Sequence, residues 1–309
     1  MNSDIMIIKK TGKQKKITFA VIAVVVTAAA AIIIGLFKPP EERHFLWRLT
    51  SPEGRPAYIL GSIHLADRDL YPLSPAIEQA FAEAAILAVE LNTDEMSNAA
   101  IDSFIMEHGI SADPAPLPGR LSDETRAALE KSGFYGWEMS RFQPWLAALV
   151  IQVEVLEQHG FVPRYGLDRH FIDQAGQRQM KVLELETPED QLSLLAGMSA
   201  EEADLFLRAT VLELEELPKT MRAFLQAWRQ GDVDAFSRIF FQEYDTYPEL
   251  LPLLDKIIFQ RNQKMAARLT ELMSQNDGIF FVVIGGGHLI GEGSVLDILA
   301  ARGFKISQQ

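Results

Sequence analysis

Apolar residues follow three regimes along this chain. From Ile17 to Phe37 they run without a charge for 21 residues (ITFAVIAVVVTAAAAIIIGLF). As a helix rising about 1.5 Å per residue this run would reach about 31 Å, the thickness of a bilayer core. From Phe45 to Leu91, and again from Gly278 onward, short β-favouring apolar runs alternate with turn residues. Between about 95 and 275 the apolar positions recur at helical spacing instead. These regimes predict a membrane-spanning helix (17–37), a short linker (38–44) and an α/β body (45–307) with a large helical middle segment (95–275).

Within the body, Phe45 to Ser51 and Ala57 to Ile63 flank Pro52-Glu53-Gly54-Arg55-Pro56, a turn composition, and predict a β-hairpin. Ser74 to Ala85 predicts a helix and Ile86 to Leu91 a short buried strand. Gln143-Pro144 opens a helix, apolar nearly all round, that ends at Gly160. Lys181 to Leu185 predicts a strand, with Thr187-Pro188 capping the helix after it. Ser199-x-x-Glu202 is a capping box opening an amphipathic helix that breaks near Pro218 and resumes through Trp228. Phe240 to Asp255 is expected to be irregular, and Lys256 to Ser274 helical. Gly278 to Ile284 predicts a fully apolar strand, Gly285-Gly286-Gly287-His288 a turn, Ser294 to Arg302 a helix and Phe304 to Ile306 a last strand. Trp137, Trp145 and Trp228, at helical positions, are expected in the core.

Charge sets the address of these elements. Lys9, Lys10, Lys13, Lys15 and Lys16 precede the apolar run and only Lys38 follows it closely, which places residues 1–16 in the cytoplasm and the body outside it. Small residues from Thr27 to Ala31 offer a competing reading as a cleaved signal peptide, although the apolar run continues past them to Leu36. The formal net charge is −13, and the N-terminal lysines make the body more acidic still. With no basic stripe to neutralise phosphates, nucleic acid is not an expected partner. The chain has no Cys, so disulfides, thiolate metal sites and a Cys nucleophile are excluded. A metal would have to be held by His and carboxylates.

The residues with chemistry to offer sit at strand ends. Gly61-Ser62-Ile63-His64 and Gly285-Gly286-Gly287-His288 each follow an apolar strand, where open α/β sheets bind ligands. Two imidazoles brought together suit a metal site or acid–base work. Glu90 ends ILAVEL and Glu186 ends KVLELET, with Glu184 two residues earlier, so a carboxylate is expected to join the two His. The glycines at 285–287 could present N–H groups to an oxyanion. No G-x-S-x-G, H-E-x-x-H or nucleotide-binding glycine pattern occurs. His44, His108, His159 and His170 are read as structural.

Gly61-Ser62-Ile63-His64, the strand ending at Glu90, Gln143-Pro144-Trp145, Gly166-Leu167-Asp168, Leu183 to Thr187, Arg261-Asn262 and Gly285-Gly286-Gly287-His288-Leu289 with Gly303-Phe304 resemble, in order and spacing, the TraB/GumN-like family. That family includes the Tiki metallopeptidases, and the resemblance covers about residues 43 to 307. It implies a split α/β sheet core like that of EreA-type erythromycin esterases and haem-binding ChaN-like proteins, carrying a large helical insertion. It also implies a site of His64, His288 and Glu90, and in the Tiki branch a peptidase needing a divalent cation. Mn²⁺, Co²⁺ or Zn²⁺ would serve, with Glu90 as ligand or base, and Glu186 and Arg261 supporting it. An Arg at 261 could bind a substrate carboxylate or a developing oxyanion. The expectation is a membrane-anchored extracytoplasmic hydrolase acting on peptides or proteins. Two other readings stay open: a metal-free His/Glu hydrolase, and a non-catalytic protein that binds peptide or haem.

Overall fold

The Pro52–Pro56 turn folds the first two strands into a hairpin, β1 (Leu46–Thr50) against β2 (Pro56–Ser62), antiparallel with Leu46 opposite Leu60. The computed structural model describes residues 42–92 and 98–309, and Arg43–Gln309 is one unit. The apolar run 17–37 lies outside the described residues, as does most of the expected linker. Among the described residues no helix is long and apolar enough to cross a membrane.

Four further strands complete a mixed sheet: β3 (Ile86–Val89), β4 (Lys181–Glu184), β5 (Phe280–Gly285) and β6 (Lys305–Gln308). Their order is β4-β3-β5-β2-β1-β6. The ladders joining β4, β3, β5 and β2 are parallel, whereas β1 runs antiparallel to both β2 and β6. β3 and β5 are buried at every position, as continuous apolar runs predict for parallel strands covered on both faces. Both ends of the body therefore build one sheet, and most of the intervening helices are inserted between β3 and β5 in sequence.

Helix starts follow the caps legible in the sequence. Ser74 caps Pro75–Glu83, and Thr187 and Ser199 form capping boxes with Asp190 and Glu202. The helix Pro144–Gln158 buries Ala147, Ile151 and Val155 against Leu207 and Val211 of Ala200–Glu213 and Leu129 of Asp123–Ser132, a second core beside that of the sheet. Two expectations need correction. Phe240 to Thr246 continues the regular helix Val233–Thr246, because Phe236, Phe240 and Phe241 pack on the glycine turn after β5 and hold the helix there. Trp145 and Trp228 are buried, but Trp137 is 85% exposed on a single 3₁₀ turn, which lacks a helix face to turn inward.

Candidate active site at the carboxyl edge of the sheet

Because β2, β5 and β3 run parallel, their carboxyl ends share one edge, with Ser62 in register with Gly285 and Val89 with Val283. The chain continues from β2 into His64, from β3 into Glu90 and from β5 into Gly286–His288. Just past the β3–β4 ladder, two further backbone bonds join the chains, Leu185 N–H to Val89 O and Glu186 N–H to Glu90 O (2.9 and 3.1 Å). Glu90 and Glu186 are thereby held side by side, each about 5% exposed.

Two buried carboxylates so close need a counter-charge, and Arg261 supplies it. Arg261 is the second residue of the helix Gln260–Gln275, which follows directly on a π turn, Asp255–Phe259. Its Nη2 donates to Glu90 Oε2 (2.7 Å) and Glu186 Oε2 (2.6 Å), Nε donates to Glu186, and Nη1 to the Ile257 carbonyl (3.1 Å). Gln191 Nε2 bridges the same two carboxylates at 3.1 and 3.0 Å. The Nε and Nη2 donors of Arg261 are thus spent on the two acids. The Gly285 N–H is likewise donated to Glu90 Oε1 and does not face a ligand. Glu184 turns away to accept the Asn92 N–H (2.7 Å), leaving Glu186 as the acid that joins the cluster.

Each imidazole is fixed through Nδ1. His64 Nδ1 lies 2.7 Å from Asp168 Oδ2, an oxygen that also accepts the Ser62 hydroxyl. His288 Nδ1 lies 2.6 Å from Asn262 Oδ1, whose amide nitrogen donates to the Gly293 carbonyl (2.9 Å). A carboxylate and an anchored amide oxygen can only accept, so each Nδ1 carries the proton and each Nε2 is left for the site. The three groups meet around one point. A methyl group at Gly285 would come within 3.2 Å of Glu90 Oε1, 3.4 Å of His288 Cδ2 and 3.6 Å of His64 Nε2.

The electrostatics divide the two imidazoles. Asp168 lifts His64 to about 9, although 63% of that side chain faces solvent and water screens part of the attraction. Burial pushes His288 down to about 4, against the pull of Glu90. Burial alone would raise Glu90, but His288, His64, Arg261 and the Gly285 N–H outweigh it and bring Glu90 to about 2. At neutral pH His288 is uncharged, so Arg261, His64 and that N–H are what keep Glu90 ionised. The structure thus brings together His64, His288, Glu90, Glu186 and Arg261. It leaves His170 elsewhere, against Gln174 and the Tyr71 ring, and turns His159 Nδ1 onto the Val155 carbonyl. Sequence reasoning missed the roles of Asp168, Gln191 and Asn262. Gly166-Leu167-Asp168 and Arg261-Asn262 were visible as short motifs, but no spacing links them to their imidazoles.

The donor set fits a divalent cation in kind: two imidazoles with Nδ1 already engaged, His288 with a free Nε2 lone pair and His64 with an Nε2 that must shed its proton to ligate, beside an ionised carboxylate. It is not drawn together as it stands. Among the described residues no group of three or more His, Asp or Glu side chains is arranged to hold a metal ion. Ser62, meanwhile, donates to Asp168 and not to His64, so these three residues are not a nucleophilic triad.

Comparison with known proteins bears on this geometry. The family model described as TraB/PrgY/gumN matches residues 45–308. "Uncharacterized protein YbaP" of Shigella flexneri is 27% identical over 270 residues, covering 83% of this chain and 93% of that protein. A protein of Treponema pallidum is 26% identical over 281 residues, covering 85% and 81%. "Metalloprotease TIKI1" of Homo sapiens is 24% identical over 323 residues, covering 86% of this chain and 62% of that protein. No solved structure matches.

Proposed function

The chain belongs to the TraB/PrgY/gumN family, and from that membership and this site we propose that it is a metal-dependent hydrolase, a peptidase acting on peptide or protein substrates. The proposal includes its address: the body works outside the cytoplasm, held to the membrane by the N-terminal apolar segment. The observation that carries the chemistry is the meeting of His64 Nε2, the His288 ring and Glu90 Oε1 around Gly285. The relatives named metalloproteases support the reaction class.

His64, His288 and Glu90 would hold the cation, which when bound supplies a Lewis acid for the scissile carbonyl and lowers the pKa of a bound water. The chain's own residues do the rest. Asp168 and Asn262 each engage Nδ1 of one imidazole, leaving Nε2 on the side of the site. Arg261 and Gln191 hold Glu90 and Glu186 at fixed positions in spite of their mutual repulsion. Glu90 stays ionised and able to accept a proton on Oε1, beside the Gly285 N–H. A metal-free reading keeps a His and a Glu of this site as general acid and base, with His64 as the protonated partner and Glu90 as the ionised one.

The test is to incubate the full-length chain with a peptide library, with and without added Mn²⁺, beside the His64→Ala, His288→Ala double variant. New peptide termini are expected only from the parent and only with the cation. Stoichiometric cation retained by the double variant would overturn the ligand assignment. Undiminished cleavage after exhaustive chelation would overturn the metal reading in favour of the acid–base one.

A further inference from the structure

His64 is the most exposed member of the site, and three contacts tie its backbone and ring to one helix start. The Leu167 N–H donates to the Ile63 carbonyl (3.1 Å), pinning the amino end of the helix Leu167–Gln177 to the residue before His64. Gly166 packs directly on the His64 carbonyl, in a space where a side chain would meet backbone at 2.2 Å. Asp168, two residues on, then reaches His64 Nδ1 at 2.7 Å while its own position is fixed by the Ser62 hydroxyl. The Asp168 side chain is 16% exposed, against 63% for His64. A carboxylate in that place accepts and cannot donate, so the ring must offer Nδ1–H, and in its neutral form it turns a lone pair on Nε2 toward Gly285.

We infer that Asp168 is the positioning residue of the site: with Ser62 as its anchor, it fixes the tautomer and orientation of His64, as Asn262 does for His288. The inference rests on the hydrolase reading for what His64 Nε2 touches, though not for the tautomer itself. Asp168→Asn separates the two, because it keeps shape while replacing one acceptor oxygen by an N–H donor. Donation from that amide to Nδ1 would move the proton to Nε2 and aim it into the site.

The experiment uses the full-length chain labelled with ¹⁵N-histidine, freed of metal, at a pH of about 10 where the imidazoles are neutral. The ¹⁵N shifts of His64 report which nitrogen is protonated. Nδ1–H is expected in the parent, and a substantial Nε2–H population in Asp168→Asn. In parallel, calorimetric titration with Mn²⁺ alone should show Asp168→Asn weakened about ten- to a hundredfold and Ser62→Ala weakened less, with His288 shifts unchanged in both. Unchanged His64 shifts, with Mn²⁺ affinity within about twofold of the parent, would overturn the inference. So would a lowered melting temperature with the tautomer intact, since that is the signature of a merely structural contact. If the parent binds no Mn²⁺, the metal reading falls, and the tautomer measurement alone still decides the role of Asp168.

Discussion

The two G-x-x-H elements present the same four-residue pattern and reach opposite electrostatic states. The first ends in His64, exposed to solvent and held by a carboxylate that raises it. The second ends in His288, 4% exposed and held by the amide of Asn262, which is itself fully buried. Only the second acceptor is neutral, and there burial lowers the imidazole. The motif therefore determines where an imidazole goes, and the helix docked behind it determines what the imidazole is.

That contrast can be broken most severely at the glycines that let the helices dock. Gly166→Ala drives a methyl into the His64 backbone (2.2 Å to its carbonyl oxygen), whereas Gly287→Ala meets only the edge of the Phe240 ring at 2.6 Å. A clash with backbone cannot be relieved by a rotamer. Gly166→Ala is expected to cost about 3 kcal/mol or more and Gly287→Ala about 1–2 kcal/mol, read by denaturant unfolding. Equal losses would show that the first helix start is not the more rigid of the two.

A smaller effect is expected from the acceptor of the buried element. Asn262→Leu leaves His288 Nδ1–H and the Gly293 carbonyl without their partner at a buried position and should cost about 1–3 kcal/mol of stability. A change below about 0.5 kcal/mol would mean that the buried side of the site relaxes or admits water, and would weaken the contrast drawn here.

The subtlest expectation is a pair of opposed pH limbs in the metal-free chain. His288 resists protonation in the fold, while the unfolded chain takes up a proton near 6.5, so its contribution is complete above 6.5 and fades as pH falls toward about 4. His64 binds its proton more tightly in the fold, so its contribution is complete below 6.5 and is lost as pH rises toward about 9. His288→Asn should flatten the acid limb and His64→Gln the alkaline one, measured as unfolding free energy against pH. Loss of both limbs from either single variant would show that the two imidazoles titrate as one unit.

Much of this arrangement was legible in the sequence because apolar runs, caps and turns are local signals. The strand ends carrying His64, Glu90, Glu186 and His288 followed from β-favouring runs and the rule that parallel strands share a carboxyl edge. The pairing of Asp168 with His64 did not, because an acid in the first turn of a helix is common for dipole reasons alone and carries no sign of a distant partner. For Arg261, sequence marked a cation to accompany the two acids without showing how many of its N–H groups they consume. Trp137 misled because helical spacing over one turn cannot tell a core position from an exposed one.

The strand order has a consequence for how the molecule is made. β5, which leads into the turn carrying the second imidazole, is synthesised well after β2 and β3, yet it belongs in the middle of the parallel ladders, pairing residue 280 with both 57 and 86. Until it arrives, β2 and β3 each keep an unpaired apolar edge while the whole helical segment is being synthesised, the kind of surface on which incomplete chains associate. A chain cut before residue 278 lacks both β5 and His288, and is expected to be recognised by quality control as incompletely folded.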